Sequence, residues 1–233
     1  RLFVSVTATS GGTLLGQINP YDYEAGTLRG LEDSTSSPPL LTNEARRPER
    51  VYEVASESAL TGEEHTFHMA LATGRTKDNR IPPKGFRIAE APARMAEPVW
   101  NGAVAPGYFT AGEYASGKDD ITLALPAGAD GVSVRVYYQT TSRAFIEFLR
   151  DEIEGNGSSL ASPTPSGEAE AYIVQTDPYF AALAAWGETI WQLWDHNKHL
   201  PGARPILVAG ATWGNVPSPC ALPGADEAPC DDG

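Results

Sequence analysis

The sequence predicts a mainly β protein, an antiparallel β-sandwich of the Ig-like kind with two helices in its C-terminal half. Three observations support this prediction. Apolar and polar residues alternate with strand periodicity in several short segments. The 23 glycines and 19 prolines are spread along the chain, as in turn-rich β proteins. The order of the segments gives no sign of the βαβ alternation that builds a parallel sheet.

The first half of the chain supplies short strands joined by polar stretches. Apolar residues alternate from Leu2 to Ala8, and the pair Gly11-Gly12 then offers a turn. Residues 26–50 are polar, so we expect a long surface excursion there. The remaining elements, in order, are strands at 14–18, 51–55 and 66–72, a rigid bend at 77–86, and an irregular packed segment at 90–118.

The second half adds the two helices. Alternation at 121–125 and 132–138, around the turn at 126–131, predicts a β-hairpin. Ser142 can cap a first helix. Asp177-Pro178 is a typical start for a second helix, whose buried stripe would carry Leu183, Trp186, Ile190 and Trp194. A last strand is expected at 206–211. We therefore predict a β-sandwich domain with helical insertions over residues 1–213, followed by a Pro-rich tail over residues 214–233.

Charge and hydropathy exclude two classes of partner. The formal net charge is −13, so phosphate backbones would be repelled and nucleic acid is not an expected partner. Anionic membrane surfaces are disfavoured for the same reason. No segment approaches the roughly 20 apolar residues that span a bilayer, so membrane insertion is not expected either.

The two cysteines, Cys220 and Cys230, both lie in the Pro-rich tail. Their spacing fits neither CxxC nor CxxCH, and a zinc site would need more ligands. A local disulfide between them is the most economical interpretation. It implies an oxidising compartment, either the periplasm or the extracellular cell surface. Free thiols in a cytosolic protein are the weaker alternative.

The run Lys77-Asp-Asn-Arg80-Ile-Pro-Pro-Lys84-Gly-Phe86 is the most distinctive part of the chain. In one interpretation, Arg80 and Lys84 clamp an anion, since guanidinium groups bind carboxylates bidentately. In the favoured interpretation the run is structural. Asp78 or Asn79 would cap the turn, the prolines would stiffen it, Gly85 would adopt positive φ, and Phe86 would enter the core.

Several segments in this order resemble a known family. They are 1–6, 51–53, 77–86, 119–121, 136–140, 145–149 and 191–194, with the 77–86 run and Tyr137-Tyr-Gln-Thr140 the most specific. Together they resemble the C-terminal, haem-free β-sandwich domain that follows the haem region in many secreted multihaem c-type cytochromes. The resemblance covers roughly residues 1–213.

The resemblance implies that this chain works beside a cytochrome and carries no haem itself. Family members carry CxxCH haem-attachment motifs upstream, and this sequence has none. We therefore expect no cofactor here, and haem only on a partner c-type cytochrome domain or subunit, or on an upstream segment. The start at Arg1 fits the upstream segment. The expected role is non-catalytic, namely docking, shielding or assembly in electron transfer.

Other candidate chemistry is weaker. His65 and His68 lie three apart on a predicted strand, and so point to opposite faces. No GxSxG motif occurs and no catalytic constellation is visible, so an enzyme ranks last. Trp191 lies off the helix stripe and is expected at the surface or at an interface. The main alternative function is a cell-surface adhesion or carbohydrate-binding module, which predicts an exposed aromatic row on one sheet face.

Overall fold

The computed structural model describes residues 1–29, 31, 43–154, 184–201 and 203–217. Most of the regular structure in these residues is strand, and nearly all strand pairs are antiparallel. The fold is therefore mainly β and consistent with the β-sandwich class, as the sequence predicts. Two of the helices lie in the C-terminal half, which also agrees with the prediction.

The described residues form the following strands, helices and 3₁₀ turns. The strands are β1 Leu2–Ser10, β2 Thr13–Ile18, β3 Tyr21–Asp22, β4 Thr27–Leu28, β5 Glu44–Ala45, β6 Val51–Tyr52, β7 Val54–Ser58, β8 Glu63–Thr66, β9 Gly74–Asp78, β10 Val99–Trp100, β11 Ala103–Val104, β12 Gly131–Tyr138 and β13 Ile206–Gly214. The helices are α1 Ala111–Ser116, α2 Arg143–Glu154 and α3 Ala184–Asn197. Single 3₁₀ turns lie at Pro48–Arg50, Met69–Leu71, Ile88–Glu90 and Pro92–Arg94.

The chain divides into two compact units, each built from separate stretches. The first comprises Arg1–Val51, Leu123–Ile146 and Gln192–Gly233, and the second comprises Tyr52–Thr122 and Glu147–Trp191. The predicted domain limits at residues 213 and 214 stay a prediction, because residues 218–233 lie outside the described part.

The first unit is organised around one sheet in the order β13-β12-β1-β2-β5, and β6 also pairs with β1. The central strand β1 contributes Phe3, which is fully buried with Leu28 and Val51. The ring of Phe3 stacks on those of Tyr21 and Tyr137, at centroid distances of 5.9 and 5.2 Å. Burial of these side chains on β1 supplies the apolar driving force for this unit.

The second unit carries the sheet β11-β10-β9-β7-β8. Its buried side chains include Phe109 and Tyr114, whose rings meet edge to face at 5.7 Å. The short helix α1 lies in this unit. A capping box begins it, in which Thr110 accepts a hydrogen bond from the backbone N–H of Glu113 and the Glu113 carboxylate accepts one from that of Thr110. Gly117, in the left-handed conformation, ends it.

Three sequence predictions about elements are wrong. Residues 121–125 form no strand, because both edges of β12 are paired, one with β1 and the other with β13. The predicted strand at 66–72 stops at Thr66 and becomes a 3₁₀ turn, which leaves Met69 exposed. The stretch 26–50 is not wholly superficial, since it supplies Leu28 to the core.

The C-terminal helices agree with the sequence only in part. Ser142 caps α2 as predicted, accepting a hydrogen bond from the backbone N–H of Phe145 at 3.3 Å. The predicted helix start at Asp177-Pro178 lies outside the described residues. Trp186 is 58% exposed, so its predicted place in a buried stripe is wrong. Trp194 is half-buried. Its ring packs closely on Gly26, where an added Cβ would lie 2.5 Å from the ring.

Candidate functional site

The bend at 77–86 begins where β9 ends, at a carboxylate held by two guanidinium groups. Asp78 accepts hydrogen bonds from Nε and Nη2 of Arg80, at 2.9 and 2.8 Å, and from Nη1 of Arg75, at 2.7 Å. The Asp78 side chain is only 8% exposed, whereas that of Arg80 is 63% exposed. Burial by itself raises the pKa of Asp78, but the hydrogen bonds from the two arginines outweigh it and lower that pKa. Arg80 is therefore oriented by Asp78 while an anion can still approach it from solvent.

Asn79 fastens the bend to the rest of its unit. Its side chain is fully buried, its Oδ1 accepts a hydrogen bond from the backbone N–H of Glu53 at 3.1 Å, and its Nδ2 donates to the Tyr108 hydroxyl at 3.0 Å. The backbone N–H of Asn79 also donates to the carbonyl of Glu53, at 3.3 Å. A primary amide offers a donor and an acceptor on one short side chain, and both are used here.

The second half of the bend rests on α1. The N–H of Gly85 donates to the carbonyl of Ala115 at 3.1 Å, and the Phe86 ring stacks on Tyr114 at 5.7 Å. Gly85 has φ +80°, as the sequence predicts. Gly117 has φ +68°, and a Cβ there would lie 2.5 Å from the backbone nitrogen of Lys84. The structural interpretation of the run thus agrees with the structure at Gly85, whereas Phe86 is only half-buried and does not enter the core as expected.

The two cations that the sequence singled out have different surroundings. Arg80 is engaged by Asp78, whereas the exposed Lys84 ammonium forms no hydrogen bond or ion pair within the described residues. No contact joins Arg80 to Lys84 in this part of the chain. The neighbouring Lys77 differs again, because its ammonium lies 2.9 Å from Glu53 and 5.7 Å from the centroid of the Trp100 ring. Lys84 is therefore the cation of the bend best placed to contact a partner.

Trp191 is half-buried, and one face of its ring is already in contact with a cation. The guanidinium carbon of Arg150 lies 4.8 Å from the ring centroid, a distance typical of a cation–π contact. Such a contact holds the indole in place and leaves less of its surface for a sugar or another ring. Nothing places Trp191 beside the 77–86 bend, so the three candidate interaction residues do not form one cluster of contacts within the described residues.

Two carboxylates close to α1, those of Glu113 and Asp119, form hydrogen bonds that stabilise the surrounding structure. Glu113 accepts hydrogen bonds from the backbone N–H groups of Asp120, at 2.9 Å, and Thr110, at 2.6 Å, and these lower its pKa to about 2. The Tyr52 hydroxyl donates to Asp119 at 2.5 Å. These acids organise the approach to and exit from α1. Sequence reasoning missed this role, although Thr110-Ala-Gly-Glu113 matches the spacing of a capping box.

The remaining candidate residues give no second site. His68 is buried and packs edge to face on Phe148 at 4.9 Å, whereas His65 is exposed. Among the described residues, no group of three or more His, Cys, Asp or Glu side chains could hold a metal ion. Cys220 and Cys230 lie outside those residues, so their disulfide stays a prediction.

Two further findings complete the description. None of the described helices is long and apolar enough to cross a bilayer. The chain matches no family model, and neither the curated proteins nor the solved structures include one that is significantly similar to it.

Proposed function

We propose that this chain is a non-catalytic, extracytoplasmic module that docks with the haem-bearing part of a multihaem c-type cytochrome. In this role it carries no haem itself and serves docking, shielding or assembly in electron transfer. The proposal rests first on the resemblance carried by the 77–86 run. Its structural support is the cationic character of that bend on an otherwise acidic protein.

The charge contrast is the observation that carries the proposal. Residues 74–87 contain five cationic side chains and a single carboxylate, on a chain whose formal net charge is −13. Two of the five matter most, because Arg80 is held in a fixed orientation while more than half exposed and Lys84 is unpaired within the described residues. A fixed guanidinium and an exposed ammonium in the same bend suit carboxylates, including the propionates that haem groups present at a protein surface. Electrostatic complementarity of this kind favours encounter and orientation more than affinity.

The test uses purified multihaem c-type cytochromes as the probe and titration calorimetry as the readout. The unmodified chain should bind at least one of them, more weakly at about 200 mM than at about 50 mM salt, because exposed charges are screened. The variant Lys84→Glu should weaken binding about tenfold or more. It removes no internal contact of the described residues, so its fold should be unchanged by circular dichroism.

The matched control is Arg47→Glu, which makes the same change in net charge on the first unit, outside the bend. It should leave affinity within about twofold, since an exposed charge that is not part of the contacting bend acts only through the screened overall field. Equal loss in both variants would show that only net charge matters. Absence of binding to any cytochrome at low salt would refute the proposal. The purified chain should also show no haem absorbance.

The second candidate function is carbohydrate binding. The feature that favours it is Trp213, which is 66% exposed on β13 and offers a flat ring of the kind that stacks on sugars. Tyr138 is also exposed but pairs with Ile206, at the far end of the same ladder, so the two rings form no continuous row. A glycan array with the unmodified chain and Trp213→Ala tests this alternative. Hits that disappear in the variant would favour it over the cytochrome.

A further inference from the structure

Arg135 is a half-buried arginine that has no carboxylate partner within the described residues. It lies on β12, the strand between β1 and β13. Its only hydrogen bond in that part of the chain is a long one, 3.5 Å from Nη1 to the Tyr137 hydroxyl. By contrast, at least six other described arginines pair with carboxylates, namely Arg29, Arg47, Arg75, Arg80, Arg87 and Arg150. On a chain of net charge −13, the missing carboxylate sets Arg135 apart.

The register of the sheet surrounds Arg135 with small or hydroxyl-bearing side chains. Residues that pair across neighbouring strands share a face, and so do residues two apart along a strand. Ser5 on β1 and Gly210 on β13 pair with Arg135. Along β12 itself, Ser133 and Tyr137 flank it on the same face. The guanidinium therefore lies among groups that can donate hydrogen bonds to an anion, and none of the four carries a negative charge.

Ser133, next to Arg135 on this face, has a buried hydroxyl without a partner. The residue is 6% exposed, and its Oγ forms no hydrogen bond. The residues that pair with it, Thr7 and Thr212, carry hydroxyls as well. Thr7 Oγ1 instead accepts a hydrogen bond from Nε2 of Gln17, at 3.5 Å. A buried hydroxyl that lacks a partner costs stability, so a ligand oxygen that reached Ser133 would recover that loss.

The carboxylate that shares this row of the sheet is engaged elsewhere. Gln17 on β2 pairs with Thr7 of β1 and with Glu44 of β5, so Glu44 lies three strands away from β12. Its Oε1 accepts a hydrogen bond from Nη1 of Arg29, at 3.0 Å. Arg135 can therefore accept a carboxylate from solution without competition from Glu44.

Gly210 leaves open space beside the stem of Arg135. An added Cβ there would lie 3.8 Å from Cγ of Arg135 and 4.0 Å from Cδ1 of Leu207. The two side chains therefore form the walls of a shallow recess, and the bare backbone of Gly210 is its floor. Gly210 is exposed, so the recess is open to solvent. One wall carries the cation, and the other is apolar.

We propose that Arg135, Ser133 and Gly210 form a binding site for a small carboxylate ligand. The guanidinium would hold the carboxylate bidentately, the Ser133 hydroxyl would donate to it, and the apolar body of the ligand would rest against Leu207. A carboxylate suits the site better than a phosphate group, because one cation balances one negative charge and a chain of net charge −13 repels the surplus charge of a dianion. The site lies within the first unit and does not depend on the 77–86 bend or on a haem-bearing partner.

Benzoate is the probe, and amide shifts in two-dimensional NMR spectra of the full chain at constant ionic strength are the readout. The amides of Ser133, Arg135 and Gly210 should shift with a dissociation constant of about 1–10 mM, as expected for a ligand of few non-hydrogen atoms. Inorganic phosphate should bind more weakly. Absence of these shifts at about 50 mM benzoate would refute the proposal. Tighter binding of phosphate would refute the choice of a carboxylate.

Arg135→Gln removes the charge and should weaken benzoate binding about tenfold or more, because hydrogen bonds between charged groups are the stronger kind. The matched control is Arg94→Gln, which makes the same change in net charge at an exposed position of the second unit. It should leave the dissociation constant within about twofold, since its charge is screened. Equal weakening in both variants would show that benzoate responds only to net charge, and would overturn the site.

Two further variants separate binding from folding. Ser133→Ala deletes a hydroxyl that has no partner in the free chain, so urea unfolding should show no loss of stability, while benzoate binding should weaken about threefold or more. Gly210→Val fills the recess with a residue that suits a strand, keeps Arg135, and should weaken binding about tenfold. Unchanged binding in either variant would reduce the site to an exposed cation and overturn the proposal. A less stable Ser133→Ala chain would show that the hydroxyl already has a partner, and would remove it from the site.

Discussion

Replacing Gly117 by alanine should destabilise the second unit more than the same change at Gly85, the glycine of the 77–86 bend. Gly117 closes α1 with φ +68°, and a Cβ there would lie 2.5 Å from the nitrogen and 2.8 Å from the Cα of Lys84. Both are backbone atoms, so no side chain can rotate away. The added methyl group would have to push the 77–86 bend off the end of the helix.

The expected magnitude has two parts. Holding alanine in the left-handed conformation costs about 1–2 kcal/mol. Displacing packed backbone adds about 1–3 kcal/mol, the usual range for over-packing. Gly85→Ala is the matched control, because Gly85 has φ +80° but no neighbouring atom within 4 Å of the added Cβ. The control should lose only the first part, so the two variants should differ by about 1–3 kcal/mol.

Urea unfolding followed by tryptophan fluorescence and circular dichroism measures both losses. At the denaturant sensitivity usual for small proteins, the Gly117→Ala midpoint should fall by about 1 M or more, and that of Gly85→Ala by less. Equal midpoint shifts would refute the reasoning, since they would mean that α1 and the bend do not press against each other. A Gly117→Ala protein as stable as the unmodified chain would refute it more strongly.

Three further predictions concern buried groups and the tail. Asn79→Ala leaves the Glu53 N–H and the Tyr108 hydroxyl without their partner, so it should cost about 2–4 kcal/mol by urea unfolding; Tyr108→Phe, which removes one of these bonds, should cost less, and the reverse order would contradict the bridging role. Glu113 has a folded pKa of about 2, below its ordinary value of 4.5, so its stabilising contribution is present above pH 4.5 and is lost as the pH falls towards 2. The stability difference between the unmodified chain and Glu113→Gln should therefore shrink over that window, and a constant difference would argue against the hydrogen-bonded carboxylate. Intact mass should rise on reduction by two hydrogen atoms if Cys220 and Cys230 are bonded, and an unchanged mass would mean free thiols.

Part of the candidate site could be predicted from the sequence because it depends on residues that are close together in the chain. Gly85 was identified as a positive-φ position from the Pro-Pro-Lys-Gly run alone, since the requirement lies in the backbone of that residue. The ion pair between Asp78 and Arg80 joins residues only two apart in the sequence. The sequence alone does not determine, however, which carboxylate an arginine will pair with. Residues three apart on a regular strand point to opposite faces, but the pairing of β9 with β7 shifts register between Arg75 and Lys77, and Arg75 reaches the same Asp78.

The rest of the site depends on residues that are distant in sequence. Asp78 or Asn79 was expected to cap the turn, yet the Asn79 side chain bridges Glu53 and Tyr108, which lie 26 and 29 residues away. Trp191 was expected at the surface or at an interface; it is half-buried and in contact with Arg150, 41 residues away. Such partners are determined only when separate elements pack together. A residue type tells which hydrogen bonds a side chain can form, but not which distant residue will lie close enough to form them.

The sequence by itself determined the mainly β class and the strands with clear alternation, such as β1 and the strand at 132–138, because side-chain periodicity follows from strand geometry. It also determined the acidic charge and the lack of a CxxCH motif. Only the tertiary structure decided which strands pair. The strand β12 was expected to form a hairpin with 121–125, but it lies between β1 and β13 instead. A strand has two edges and can pair with any strand that buries the same face. Which strands pair is therefore determined by the packing of the whole sheet. In this sheet β13 becomes a long uncharged edge strand.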